Sequence, residues 1–177
     1  MELQTERMIL RPWQDSDAEA LYAIASNPEV GLNAGWEPHK SVEHSREMIR
    51  TIFSEKEFYA IVLKDTNELV GCVGFLLGDA KHSKKMGDND AEAGYWIGVP
   101  YWGQGLIPEA MRELIRHGFE DLALDAIWEG YYEGNIRSKR VADKLGFIYQ
   151  FTEAENEKDS PLHLTQDIHF YCITKQE

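Results

Sequence analysis

Cysteine is scarce in this chain. Only Cys72 and Cys172 occur in 177 residues, too few for a disulfide framework and too far apart for a CxxC metal knuckle. Each lies in an apolar, strand-like run, so both are expected as buried free thiols. The histidines at 39, 44, 82, 117, 163 and 169 show neither HxxH nor HExxH spacing, and no metal is expected. Long apolar runs are also missing: nothing approaches the roughly 18 residues that cross a bilayer. The opening MELQTERMIL is charged and lacks the apolar stretch of a secretory leader. The expectation is a cytoplasmic protein. Basic residues are in short supply too, 18 Lys and Arg against 31 Asp and Glu, for a formal net charge of −13. That balance lacks the basic footprint which nucleic acid and anionic membranes require, so neither is expected as a partner. The acidic surplus either attracts a cationic substrate or is a solvated surface, and composition leaves both open.

What is present is an ordinary globular composition, with 43% hydrophobic residues. The length suits one domain, 1–177, with a single core. A strand is expected at 7–13. A helix follows over 15–27, with Asp15 or Asp17 as cap and Leu21, Ile24 and Ala25 on one face. A second helix over 41–54 has Ser41 as its cap and Met48, Ile49 and Ile52 as its stripe. Residues 57–79 read as a hairpin around Asp65, Thr66 and Asn67, and 80–90 as a polar, aperiodic loop. Next come a strand at 91–99, a helix from Ile107 to Leu122 with Pro108 in its first turn, and a strand at 124–134. A helix from Asn135 to Gly146 leads to closing strands at 147–155 and 166–175, with an acidic loop at 156–161 between them. The order β α α β β β α β α β β implies a mixed α/β fold around one largely antiparallel sheet.

The chemistry concentrates in GYWIGVPYWGQGLIPEAMRELI, residues 94–115. Gly103 and Gly105 flank Gln104 where a strand gives way to a helix. Without Cβ atoms these positions can approach a ligand closely and adopt positive φ. The first N–H groups of a helix have no internal partners and lie at the positive end of its dipole, which suits a phosphate or pyrophosphate. A tight connection would use the same residues. A Walker A loop is excluded because no Lys-Ser or Lys-Thr follows, and a Rossmann fingerprint because no third glycine does.

Two motifs carry a resemblance. Pro100-Tyr101-Trp102-Gly103-Gln104-Gly105 is similar to the pyrophosphate loop Q/R-x-x-G-x-G/A of the GNAT superfamily of acyl-CoA-dependent N-acetyltransferases, departing from it at Pro100. GNIRSKRVADKLGF, residues 134–147, follows that family's N-x-x-S/A-x-x-x-x-x-K-x-G-F pattern. The N-terminal stretch TERMILRPWQDSDAEALYAIASNPEV resembles the branch that acetylates protein N-termini, including ribosomal-protein alanine. The resemblance implies a mostly antiparallel central sheet, splayed at a cofactor notch and flanked by about four helices.

It also implies acetyl-CoA as cosubstrate. Pantetheine would pair with the backbone of Ile97 and Val99 and bond Asn135, the N–H groups of Gly103, Gln104, Gly105 and Leu106 would hold the pyrophosphate, Trp102 would line the cofactor notch, and Ser138 would reach the CoA sulfur. Attack by a neutral amine needs a proton acceptor. Glu92 is the first candidate, or else a solvated carboxylate at a strand end; Glu129 and Glu133 are weaker ones. The family's usual tyrosine proton donor falls at Ala142, which leaves Ser138 to protonate the thiolate or merely to bond back within its helix. Trp36, in the loop LNAGWEPH, and Glu129 are placed on the acceptor side. The implied reaction is acetyl transfer to a primary amine, a protein N-terminus foremost. The alternatives are a polyamine or aminoglycoside acetyltransferase and a CoA-binding module without turnover, as a monomer or homodimer.

Overall fold

The computed structural model describes residues 1–155, 162 and 165–175. The acidic loop expected at 156–161 and His163 lie outside the described residues. Eight strands form one sheet in the order β1 (Leu3–Gln4), β2 (Met8–Pro12), β3 (Phe58–Leu63), β4 (Leu69–Leu76), β5 (Ala91–Ile97), β6 (Ala126–Tyr132), β8 (Gln166–Thr174), β7 (Ile148–Glu155). Among the described residues five α-helices accompany them: α1 (Ala18–Ala25), α2 (Pro28–Ala34), α3 (Val42–Thr51), α4 (Leu106–Glu120) and α5 (Ile136–Leu145). The fold is the mixed, largely antiparallel α/β class expected from the element order. β5 and β6 run parallel, in register from Ala91↔Ile127 to Ala93↔Glu129.

The extra helix is α2. Its seven residues include Gly31 and Asn33 and carry no apolar period, so the segment reads as loop. Its ends are nonetheless well marked. Asn27 accepts from Glu29 N–H at 3.0 Å, Pro28 takes the first turn, and Gly35 closes the helix at φ 86°.

Two compact units divide the chain. The first comprises 1–74 and 95–113. Here α1 buries Ala18, Leu21 and Ala25 against Ile49 of α3, with Trp13, Trp36, Phe53 and Trp96 packed around them. Trp13 stacks on Phe53 at 4.8 Å. Ser41 caps α3 as expected, accepting from His44 N–H. The buried line of α3 differs from the expected stripe: it runs through Ser45 and Ile49, while Ile52 is exposed. The polar member is satisfied there, since Ser45 Oγ lies 2.8 Å from His39 Nδ1. Asp17 stands at the N-cap of α1 as expected, but its side chain makes no cap bond to that helix. Its carboxylate accepts from Arg11 Nη1 and Nη2 at 2.8 and 2.7 Å and from Gln14 N–H, and a bidentate guanidinium competes well for a carboxylate.

The second unit comprises 75–94 and 114–177. Met86, Ile168 and Phe170 form its buried cluster, with Trp128, Tyr132 and Phe151 against it. Gly118 of α4 lets that helix lie close to the neighbouring side chains, because a Cβ there would come 2.8 Å from Ile127 and 3.0 Å from Phe75. α5 has the two ends read from the sequence: Asn135 caps it, accepting from Ser138 N–H, and Gly146 closes it at φ 81°. Cys72 and Cys172 are both buried and free. Burial pushes the Cys72 thiol up to about 12, so it stays protonated and unreactive. Among the described residues, no helix is long and apolar enough to cross a membrane.

Candidate active site

β5 ends at Ile97, and the chain then tightens into a single 3-10 turn over Val99–Tyr101. Trp102 returns to an extended conformation, Gly103 and Gly105 follow at φ 74° and 76°, and α4 begins at Leu106. Both glycines are in the left-handed region, which disfavours L side chains by about 1–2 kcal/mol. A Cβ at Gly103 would meet nothing within 4 Å, and one at Gly105 would lie 3.7 Å from Arg7 Nη2. The backbone of 103–105 is exposed and leads directly into the positive end of a 15-residue helix. Such a surface fits a bound pyrophosphate.

Side chains hold this turn from behind. Gln104 folds its amide back to donate to Pro100 O at 3.0 Å, so what it offers a ligand is its own N–H. Pro100 thus replaces the expected side-chain donor with a carbonyl anchor. Gln104 O accepts from Arg7 Nη1 at 3.0 Å. Arg7 is in turn fixed by Glu109, whose carboxylate accepts from Arg7 Nε at 2.7 Å, Arg7 N–H at 2.9 Å and Thr5 Oγ1 at 2.6 Å. Burial pushes the Glu109 carboxyl up, but the contacts from Thr5 and Arg7 outweigh it and hold the group below its usual value. Behind the loop, Trp102 Nε1 donates to Ile97 O at 3.0 Å and Trp102 N–H to Val99 O at 3.2 Å. Both carbonyls expected to pair with pantetheine are therefore already engaged locally, and a ligand strand would have to share them.

The second unit holds the carboxylates expected near the acceptor. Glu92 sits opposite Trp128 in the β5–β6 register and is only 4% exposed. His82 occupies both of its oxygens: the His82 N–H donates to Oε2 at 2.7 Å and Nδ1 lies 2.9 Å from Oε1. Glu92 is thus badly placed to touch an amine directly. The hydrogen bond that His82 donates to Glu92 raises the His82 pKa, burial opposes it, and the charges of Glu92 and Glu155 add to the rise. Glu155, on β7, is buried, and its Oε2 has no hydrogen-bond partner among the described residues. Burial, then the charge of Glu155 and a hydrogen bond to it, pushes the Tyr132 hydroxyl up to about 12. Asp90 is the anchor of the loop before β5, its Oδ2 accepting from Gly87 N–H at 2.7 Å and Trp128 Nε1 at 2.8 Å.

The remaining expected residues are scattered. Glu129 is 1% exposed, which closes it off from an incoming substrate. Glu133 is exposed and pairs with His169 Nε2. Trp36 sits edge-on to Trp96 at 5.9 Å, within the aromatic cluster of the first unit. Ser138 is half-buried in the first turn of α5, and Ala142 is fully buried on the same helix. Sequence reasoning missed His82 and the Arg7–Glu109 pair. His82 stands in an aperiodic loop where a lone histidine has no spacing code, and 102 residues separate Arg7 from Glu109.

The profile of the Acetyltransferase (GNAT) domain family matches residues 7–148. The chain belongs to the GNAT acetyltransferase family. GNAT members use acetyl-CoA as acetyl donor, and this chain is an N-acetyltransferase of that family. It is 36% identical to the uncharacterized N-acetyltransferase YoaA of Bacillus subtilis over 150 residues, which cover 82% of this chain and 81% of that one. A GNAT acetyltransferase structure from Bacillus anthracis matches with a TM-score of 0.82 at 24% identity, covering 100% of both chains. The structure of RimL, a ribosomal alpha-N-protein acetyltransferase in complex with coenzyme A, matches with a TM-score of 0.77 at 17% identity, covering 98% of each chain. At these identities the two structural likenesses are ones of fold. Within the GNAT family match lie both motifs read from the sequence, the 100–105 loop and the turn and helix at 134–147.

Proposed function

We propose that this GNAT enzyme, as a single domain, transfers the acetyl group of acetyl-CoA to a primary amine by direct attack, and that the amine is a protein N-terminus such as ribosomal-protein alanine. The observation that carries the transfer reading is the pair of left-handed glycines ahead of α4, braced by Arg7 and Glu109. Acetyl-CoA supplies an activated acyl carbon and a thiolate leaving group. The N–H groups of Gly103 to Leu106 bind its pyrophosphate, and Trp102 shapes the turn that presents them. Asn135 faces pantetheine, and the Ser138 hydroxyl gives its proton to the departing sulfur. The buried Glu92 carboxylate is the anionic end of the path taken by the amine proton.

Amine chemistry favours the N-terminal acceptor. An α-amino group has a pKa near 7.7–8.0, so about a tenth of it is neutral at pH 7, whereas an alkylamine near 10.4 is neutral to well under 0.1%. An enzyme that must make its nucleophile neutral before attack takes a proton more easily from the former. RimL, with the same fold, is named for action on a protein α-amine. The test is thiol release from acetyl-CoA by the purified protein with N-terminal alanine peptides, a polyamine and an aminoglycoside. Peptide turnover is the expected result. Preference for a polyamine or aminoglycoside overturns the acceptor, and acetyl-CoA binding without turnover of any amine leaves a binding module.

A further inference from the structure

We infer that His82 is the catalytic residue that takes the proton from the acceptor amine, with Glu92 as the positioning carboxylate behind it. The proposal rests on the acetyl-transfer reading above and names the proton path of that same reaction. Glu92 is 4% exposed, whereas the His82 side chain is 50% exposed. The carboxylate is held at two points by one residue, through the backbone N–H of His82 at 2.7 Å and its Nδ1 at 2.9 Å. An ionised carboxylate only accepts hydrogen bonds, so the second contact puts the imidazole proton on Nδ1. The Nε2 lone pair is then the basic site of the pair. The backbone contact also fixes the distance between Glu92 and the root of the side chain, which orients the ring.

The charged and titratable surroundings are of one kind. Glu92 comes from β5, Glu155 from β7 and Tyr132 from β6, and the charges of both carboxylates act on the His82 ring. Lys81, its neighbour in sequence, turns its ammonium onto the backbone oxygens of Gly87 and Asp90. Asp90 is occupied by Gly87 N–H and Trp128 Nε1. Two buried anions near one imidazole stabilise its protonated form, the form created when it accepts a proton.

The balance is simple. An ammonium acceptor gives one proton to His82 Nε2 and becomes a neutral amine. Its nitrogen lone pair forms the N–C bond to the acetyl carbon, and the C–S bond breaks with its electron pair leaving on sulfur. The nitrogen then loses a second proton and the thiolate gains one, through the Ser138 hydroxyl. His82 returns its proton to water.

His82 works as a base only when neutral, and its pKa is raised above the ordinary 6.5. Wild-type kcat/KM therefore rises with pH along a limb centred above about 6.5. His82→Gln should lower kcat by about 100-fold and remove that limb, with acetyl-CoA affinity retained. Glu92→Gln should move the limb to lower pH, because the anion that raises the imidazole pKa is gone. Ring-nitrogen NMR of the wild-type protein gives a readout independent of turnover: His82 should titrate above its ordinary value, with the neutral form protonated on Nδ1. Wild-type rate and an unchanged limb in His82→Gln would overturn the proposal while leaving acetyl transfer intact, as would a neutral form protonated on Nε2. A wild-type protein that turns over no amine would overturn the transfer reading and this inference with it.

Discussion

Replacing Glu109 by glutamine tests the brace beneath the cofactor loop with almost no change of shape. Glu109 makes three contacts, to Thr5 Oγ1, Arg7 N–H and Arg7 Nε. A glutamine carbonyl in the place of Oε1 keeps the first two. Its NH2 then faces Arg7 Nε–H, donor against donor, and one charge-assisted bond is lost. Such a bond is worth roughly 1.5–3 kcal/mol when well buried. The Arg7 side chain is 44% exposed and that of Glu109 19%, which pulls the figure towards the range below about 1 kcal/mol seen for exposed pairs. The expected loss is thus about 1 kcal/mol, read as a lower urea midpoint at constant slope. Its pH dependence has a definite sign. The folded Glu109 carboxyl is held below its usual value, so its contribution is complete above the unfolded pKa of about 4.3 and disappears as pH falls through the folded one. The gap between wild type and Glu109→Gln should stay flat from pH 6 to 8 and close in acid, below about pH 4. Acetyl-CoA binding should weaken as well, since Arg7 also holds Gln104 O. A gap below roughly 0.3 kcal/mol at neutral pH, or one unchanged in acid, would refute the brace.

Gly105→Val should weaken acetyl-CoA binding at least about tenfold by calorimetry, because the left-handed backbone disfavours a side chain by about 1–2 kcal/mol and a branched Cβ would block the backbone cradle. Ser138→Ala should lower kcat and kcat/KM together by roughly ten- to a hundredfold, with acetyl-CoA affinity unchanged; a loss below about twofold assigns the proton to water instead. Asn135→Ala should cost about 1 kcal/mol in thermal or urea unfolding through loss of the α5 cap, while Asn135→Asp keeps most of it.

Elements whose logic is local were legible in the sequence. The α5 helix announced both its ends, Asn135 and Gly146, because capping needs only a few adjacent residues. The 103–105 turn was legible for the same reason: two glycines one residue apart permit a backbone that few other pairs do. What stayed hidden depends on partners brought together by folding. Asp17 stands at the cap position read for it, but its carboxylate turns to Arg11 instead of the helix N–H groups. Glu92 looks like an available base until the His82 main chain and ring close over it. α2 was hidden for a different reason, since seven residues give too few turns for an apolar stripe to show.

The bond from Arg7 to Glu109 has a consequence for the order in which the protein is made. Helix α4 closes its own ladder within about a microsecond once its residues are free. The turn ahead of it depends on a residue 102 positions earlier. At synthesis rates of 5–20 residues per second, Arg7 waits roughly 5 to 20 s in the nascent chain before Glu109 is made. During that interval the guanidinium lacks its Glu109 partner, and the proposed phosphate-binding turn, made only just before Glu109, cannot yet be braced. A chaperone that retained the segment around Arg7, or a protease that nicked it before docking, would disarm the proposed cofactor capture without touching any residue between 99 and 106.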